Sequence, residues 1–383
     1  MTSQTPPCTV VVAGDPGGAE AVAPVIEMLV RAGRTRVATC AYHEACRIWR
    51  DRGIEFTALP DTMGHGAARV LLEQEGARAL LTGTSASPRD VERTFIAAAR
   101  SMQVPSLSIL DFWSNYRQRW SDRGGDLAFL PDLIAVMDAR ARDAMTGEGF
   151  DPAGLVITGQ PAYDALAAWR EAFTDGRKRE IRRDLGVKGG DSLVIFASQP
   201  LSMSLPAAAQ EPPSAPGYTE RTVIPLVIGA LDRIGEETGE RIVLAIRPHP
   251  KEDPGGFGIY RSRRTKVRIA REGHSRDLVM AADLVLGMTS AILVEACYLG
   301  CIVGSIQPGL SGPDVLPTNE GGYSHPVYTA EDIKPAIQKL LLDPAFRKEM
   351  RSRAESLAPV SGATRRVAGL VYRLLGMTQQ EQG

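Results

Sequence analysis

The sequence predicts an α/β protein of two Rossmann-like domains facing each other across a cleft, and three observations predict it. Short β-branched runs alternate with stretches of helical period; the alternation halts at a strongly charged stretch and then starts again; and 383 residues are too many for one ordinary core. Strands that alternate with helices imply right-handed βαβ units and parallel sheets covered on both faces.

The first series opens with a strand at Cys8 to Ala13, a glycine-rich turn at Gly14 to Glu20 and a helix at Ala21 to Ala32. Further strands are expected at Arg36 to Cys40, Ala77 to Leu81, Ser106 to Leu110, Leu133 to Val136 and Leu155 to Ile157. Helices are expected at His43 to Arg52 and Phe95 to Met102. Trp169 to Lys188 reads as helical and strongly charged, and the inter-domain boundary is placed near it. The second series has strands at Leu193 to Ala197, Ile242 to Ile246, Val267 to Ile269 and Leu284 to Leu286. Its helices are Val223 to Thr238, Ser275 to Ala281 and Ser290 to Leu299. The Pro-, Ala- and Ser-rich loop from Ser198 to Gly217 is long enough to be a mobile element over a site. Helices around Ala330 to Leu342 and Thr364 to Leu375 end the chain. The expected domains are residues 1–168 and 185–360, with residues 361–383 forming a C-terminal helix free to pack back on the first.

Composition excludes several function classes. The chain is 44% hydrophobic, 23% charged and 6% aromatic, as a globular enzyme is. With 44 basic and 45 acidic side chains the net charge is −1, so no global field draws the chain to nucleic acid or to an anionic membrane, and any anion site must be local. Five cysteines without a CxxC pair fit a reduced compartment, so the expected location is cytoplasmic. Cys297 and Cys301 read as small apolar packing groups, and no metal is assigned. There is no signal-peptide pattern and no run of the roughly 20 apolar residues that a membrane span needs.

In open α/β sheets ligands bind beyond the carboxyl ends of the strands, and five such places carry polar residues. The strongest is the strand ending at Gly287, followed by a helix capped by Thr289 or Ser290. Glycine permits close backbone approach, the exposed amides of a helix start bind an anion, and Glu295 is able to accept sugar hydroxyls. Next is Arg247-Pro-His-Pro-Lys251, where Arg247, His249 and Lys251 are donors for a diphosphate or a leaving group, or His249 is only a structural hydrogen-bond donor. The opening loop carries Gly14, Asp15, Gly17 and Gly18. It matches neither a P-loop nor GxGxxG, and it is either a tight turn or the setting of a base, Asp15. Asp111-Phe-Trp-Ser-Asn115 offers Asp111, Trp113 and Asn115 to a sugar, or is a packed surface loop with Trp113 and Tyr116 buried. Ser198 and Gln199 follow the first strand of the second domain. The basic run Arg261 to Arg271 reads as a solvated face, able also to approach a membrane surface that carries a lipid-linked acceptor.

These motifs resemble the GT-B superfamily, which includes glycosyltransferases and hydrolysing UDP-N-acetylglucosamine 2-epimerases. The opening Gly14 to Glu20 with Ala23-Pro-Val-Ile26 resembles the epimerase start, and Val156-Ile-Thr-Gly-Gln-Pro-Ala-Tyr-Asp164 the segment that ends the first domain. Arg247-Pro-His-Pro250 resembles the His-Pro motif of bacterial capsule and sialic-acid transferases, and Gly287 to Ala296 resembles their nucleotide-binding Ser…Glu helix. The resemblance implies a nucleotide sugar held mainly by the second domain and an acceptor, a glycan or lipid-linked hydroxyl, on the side of the first. Where the epimerases carry His-x-Glu-Ala-Gly this chain has Asp111 to Asn115, which favours a transferase over an epimerase, and the clustered polar loops on both domains count against a non-catalytic nucleotide-sugar binding protein. The expected mechanism has Asp15 or Asp111 as base, with His249, Arg247 and the helix at Ser290 stabilising the diphosphate. It expects no metal and no cofactor, a role in surface glycan synthesis, and a place in the cytoplasm or at the inner face of the membrane.

Overall fold

A computed structural model describes residues 6–86, 91–122, 124–204, 217–357 and 361–377. Most of the loop expected to be mobile, from Ser198 to Gly217, lies outside the described residues. The chain divides into two compact units, Met1–Asp164 with Pro359–Gly383, and Ala165–Ala358.

The first unit is built on seven parallel strands, β1 Cys8–Ala13, β2 Arg36–Ala41, β3 Thr57–Ala58, β4 Ala77–Thr82, β5 Ser106–Ile109, β6 Leu133–Val136 and β7 Leu155–Ile157. Their order across the sheet is β3-β2-β1-β4-β5-β6-β7. Its helices are α1 Pro16–Ala32, α2 Glu44–Asp51, α3 His65–Gln74, α4 Val91–Ser101 and α5 Ala139–Gly147. The second unit adds α6 Leu166–Ala172 and α7 Asp175–Asp184. It has six parallel strands, β8 Ser192–Ala197, β9 Ile242–Arg247, β10 Lys266–Ile269, β11 Leu284–Gly287, β12 Val303–Ile306 and β13 His325–Val327, in the order β10-β9-β8-β11-β12-β13. Its remaining helices are α8 Glu220–Thr238, α9 Ser275–Ala281, α10 Ala291–Tyr298, α11 Pro317–Glu320, α12 Ile333–Leu342 and α13 Pro344–Ser356. The last helix, α14 Ala363–Leu374, belongs to the first unit.

Both sheets therefore reverse their strand order once, between β1 and β4 and between β8 and β11. In doubly wound sheets that reversal opens a crevice at the carboxyl ends of the two strands, which is where ligands bind. The central strands are apolar on both faces, as a parallel sheet covered by helices requires: every residue of β1 is buried, and so are Leu193 to Ala197 of β8. Val367, Ala368, Leu370 and Val371 of α14 join the core of the first unit beside Val22, Ile26 and Leu29 of α1. Full burial of a Val or Leu side chain contributes about 1.5–3 kcal/mol.

Three expectations need correction. The opening segment is not a loop up to Glu20: α1 begins at Pro16, whose fixed φ suits the first helical position. Trp169 to Lys188 is two helices, because Phe173 is extended (φ −76, ψ 114) and Thr174 starts α7 by accepting the N–H of Arg177 at 3.2 Å. Those helices belong to the second unit, so the division of the chain falls at Asp164/Ala165.

Candidate functional site

At the reversal point of the first sheet, Asp15 follows β1 and Gly83-Thr84-Ser85 follows β4. The Ser85 hydroxyl donates to Asp15 Oδ2 at 2.7 Å and so ties the two strand ends together. Beneath that bond the chains nearly touch: a Cβ on Gly18 would lie 2.9 Å from both the N and the O of Thr84, and one on Gly83 2.9 Å from Gly18 Cα. Both glycines serve backbone approach, Gly18 within the start of α1 and Gly83 just past the end of β4. Gly14 packs its Cα side on the Tyr42 ring and donates its N–H to buried Glu92 at 3.0 Å. Glu92 also accepts the Tyr42 hydroxyl.

Asp111 lies just past β5. It pairs with Arg119 at 2.5 Å and accepts the Thr84 hydroxyl at 2.8 Å, and Arg119 is itself 5% exposed. Gln160, beyond β7, donates to the carbonyls of Leu110 and Asp111 at 3.1 and 3.3 Å. Asp111 is thus tied to a buried guanidinium as well as to Thr84, while Asp15, the other base candidate, accepts Ser85. Gly17 fits only because a Cβ there would strike Asp111. Trp113 corrects its expected role. It is 5% exposed, with Tyr116 at 6%, and its indole N–H donates to Asp138 Oδ2 at 2.8 Å, so its ring offers no open face to a sugar. Asn115 is exposed with φ 57, a turn residue.

In the second unit the reversal point lies between Ser198-Gln199 after β8 and Met288-Thr289-Ser290 after β11. Gln199 Oε1 accepts the backbone N–H of Thr289 at 2.7 Å and its hydroxyl at 3.3 Å. Ser290, not Thr289, caps α10, accepting the N–H of Ile292 at 3.4 Å. Gly287 allows the approach of β8, for a Cβ there would lie 3.0 Å from the carbonyl O of Ala197. Met288 is pinned from below: Ser305 donates to its carbonyl at 2.6 Å, and Gln307 connects Ser305, Tyr218 and Asp314 in one buried network.

The loop after β9 joins the same edge through Glu252. This carboxylate accepts the Ser198 hydroxyl at 2.9 Å and the His249 N–H at 2.7 Å. Burial pushes its carboxyl above the usual range, against the opposing effect of those two donors. His249 Nδ1 accepts the N–H of Lys251 at 3.1 Å, which assigns the proton of the neutral ring to Nε2. Arg247 departs from its expected role. Its terminal nitrogens donate to the carbonyls of Ala270, Arg271, Glu272 and Gly273 at 2.8–3.2 Å, so it braces the loop after β10. Glu295 pairs with buried Arg276 at 2.8 Å rather than standing open to hydroxyls.

Sequence reasoning missed Thr84, Ser85, Arg119, Gln160, Glu252 and Arg276. The first pair carried a signal, a Gly-Thr-Ser directly after an apolar strand, and Gln160 stood within the segment that ends the first domain; the others become partners through folding alone. Among the described residues no group of three His, Cys, Asp or Glu side chains is placed to hold a metal ion, and no helix is long and apolar enough to cross a membrane.

No family model matches the chain, and no curated protein does either. Solved structures do. The MnaA of S. aureus, in a co-structure with UDP, covers 98% of this chain and 99% of its own with a TM-score of 0.71 at 14% identity. The fold is of the GT-B type. The UDP-GlcNAc 2-epimerase of Neisseria meningitidis bound to UDP-GlcNAc has a TM-score of 0.68 at 13% identity over 96% of this chain and 100% of that one. MurG of Acinetobacter baumannii reaches 0.59, also at 13% identity and with the same coverage of each chain. GT-B-fold epimerases and transferases thus stand side by side among the neighbours, and at such identities the likeness carries the fold alone.

Proposed function

We propose that this chain is a glycosyltransferase that moves a sugar from a nucleotide-sugar donor to a hydroxyl acceptor in surface glycan synthesis. The observation that carries the reading is the second-unit strand edge, where Gln199 fixes Thr289, Ser290 opens α10, and the Ser198–Glu252–His249 loop lies at the end of the next strand. Exposed amides at a helix start, with a histidine Nε2–H nearby in the fold, are suited to a diphosphate. Neighbours of the same fold solved with UDP or UDP-GlcNAc support a nucleotide sugar as the ligand class.

In this proposal the acceptor oxygen bonds to the anomeric carbon as the bond from that carbon to the diphosphate oxygen breaks. The acceptor proton passes to a general base, and the nucleoside diphosphate leaves with the electron pair, its charge met by the α10 amides and His249. No metal or cofactor takes part. Asp15 and Asp111 are the base candidates of the first unit, and Asp111 is paired with Arg119.

Thermal-shift screening against UDP-, GDP-, CDP- and CMP-sugars tests the reading, since a ligand that binds only the folded state raises its apparent stability. The expected result is a shift with one nucleotide class that Ser290→Ala and His249→Ala both reduce. No shift with any class overturns it. Release of free sugar and nucleoside diphosphate from that donor, equally fast with and without acceptors, replaces transfer by hydrolysis of the epimerase kind.

A further inference from the structure

The outer edge of the second sheet carries a feature that sugar transfer does not use. From Arg261 to Arg271 the sequence holds Arg261, Arg263, Arg264, Lys266, Arg268 and Arg271 and no acidic residue. In a chain of net charge −1 these six cations stand against a negative remainder. They lie on and around β10, the edge strand. None of the six forms an ion pair with a described carboxylate. The hydrogen bonds their side chains make go to backbone carbonyls: Arg261 to Tyr260, Lys266 to Gly186, Arg268 to Val267 and Arg271 to Pro254. Five of the six residues are exposed and Lys266 is half-buried.

The same edge presents an apolar tip. Ile259 is 76% exposed, more than any other large hydrophobic residue described. It is held out by construction: Phe257 on one side is buried in the core, Tyr260 on the other packs against it, and their rings lie 6.0 Å apart. The turn before it is fixed by Asp253, which accepts the N–H of Gly255 at 2.9 Å. The bend after it is fixed by Asp232, which accepts the Ser262 hydroxyl at 2.5 Å and the Thr265 N–H at 2.9 Å. Exposure of Ile259 is thus a property of a braced segment.

We propose that the Ile259–Arg271 edge is a docking surface for an anionic phospholipid membrane. Unpaired arginines draw the surface to anionic headgroups, over a distance set by the Debye length. Ile259, flanked by Tyr260, then enters the headgroup boundary, where an apolar side chain leaves water and a tyrosine has a polar end to keep in it. The apolar tip is what favours lipid over a polyanion such as nucleic acid, whose phosphates are bound by charge alone. The proposal is independent of the sugar chemistry, since none of its residues belongs to either strand-end site.

Flotation of the full chain with vesicles tests it, comparing phosphatidylcholine alone with phosphatidylcholine mixed with phosphatidylglycerol. The expected result is binding to the mixed vesicles only, weakened by salt, and reduced about tenfold both by Arg261→Glu/Arg263→Glu/Arg268→Glu and by Ile259→Asp. The circular dichroism spectrum and melting temperature of both variants should match wild type, which shows them folded. Equal binding to neutral vesicles, no binding to either, or binding that Ile259→Asp leaves intact overturns the proposal. So does tighter binding to a DNA duplex than to the mixed vesicles.

Discussion

The side-chain oxygen of Gln199 accepts the backbone N–H of Thr289 at 2.7 Å, joining the end of β8 to the approach of α10 across the reversal of the strand order. Gln199→Ala removes that acceptor, and a lost hydrogen bond of this kind costs about 0.5–1.5 kcal/mol. Gln199→Glu keeps an acceptor for the same N–H but sets a negative charge beside the proposed diphosphate. Its Tm is expected to stay nearer to wild type than that of the alanine variant, while its nucleotide-sugar shift falls further. Calorimetric melting with and without ligand reads both numbers.

Arg119 and Asp111 make a prediction about stability rather than turnover. Removing one member of a buried ion pair strands the other, at about 3–5 kcal/mol. Arg119→Met and Asp111→Asn are each expected to destabilise the first unit, and the double substitution to cost less than the sum. Urea unfolding of the four proteins closes the cycle. If Asp111→Asn abolished turnover without loss of stability, Asp111 rather than Asp15 would be the base.

Glu252 should make stability depend on pH. Burial holds its carboxyl above the ordinary value of 4.5, so the folded state prefers the protonated form. The stability it contributes is complete below that ordinary value and is lost as pH rises through the raised one. Glu252→Gln mimics the protonated group. Its Tm relative to wild type is expected to be higher at neutral pH than at pH values below 4.5, and a pH series of melting curves checks the sign.

Gly18→Ala is expected to destabilise the first unit by about 1–3 kcal/mol, because the new methyl would press on the Thr84 backbone and not on a movable side chain. Chemical denaturation measures it. Gly66→Ala, within α3 and with nothing near its Cβ position, serves as the neutral or stabilising control.

Much of the fold was legible because parallel strands buried on both faces write themselves as unbroken apolar runs, and β1, β8, β9 and β11 are such runs. Two of the strands that escaped, β12 and β13, break that rule for physical reasons. In β12, Gly304 and Ser305 interrupt the run, yet a Cβ on Gly304 would lie 2.8 Å from Leu286, so glycine is what the packing requires. In β13, Pro326 argues against a strand, but β13 is an edge, where a missing N–H is tolerated. The site was legible as places more than as partners. Asp15, His249 and Ser290 stand at strand ends as their spacing implied. Arg247 does as well and Glu295 lies within α10, but both are bound to protein groups far along the chain that no local pattern announces.

Asp164, the last residue of the first unit before the chain crosses to the second, accepts the N–H groups of Ala363 and Thr364 at 3.0 and 2.7 Å and so holds the start of α14. The second unit is therefore an insertion, continuous in sequence, within a first unit that is not. On the ribosome the order of completion is the reverse of the order of synthesis. Residues 165–358 have all their sequence available while the earlier domain still exposes the groove on α1 that awaits Val367 and Val371. A premature stop that spares every residue of both strand-end sites would still leave the domain translated first without its closing helix.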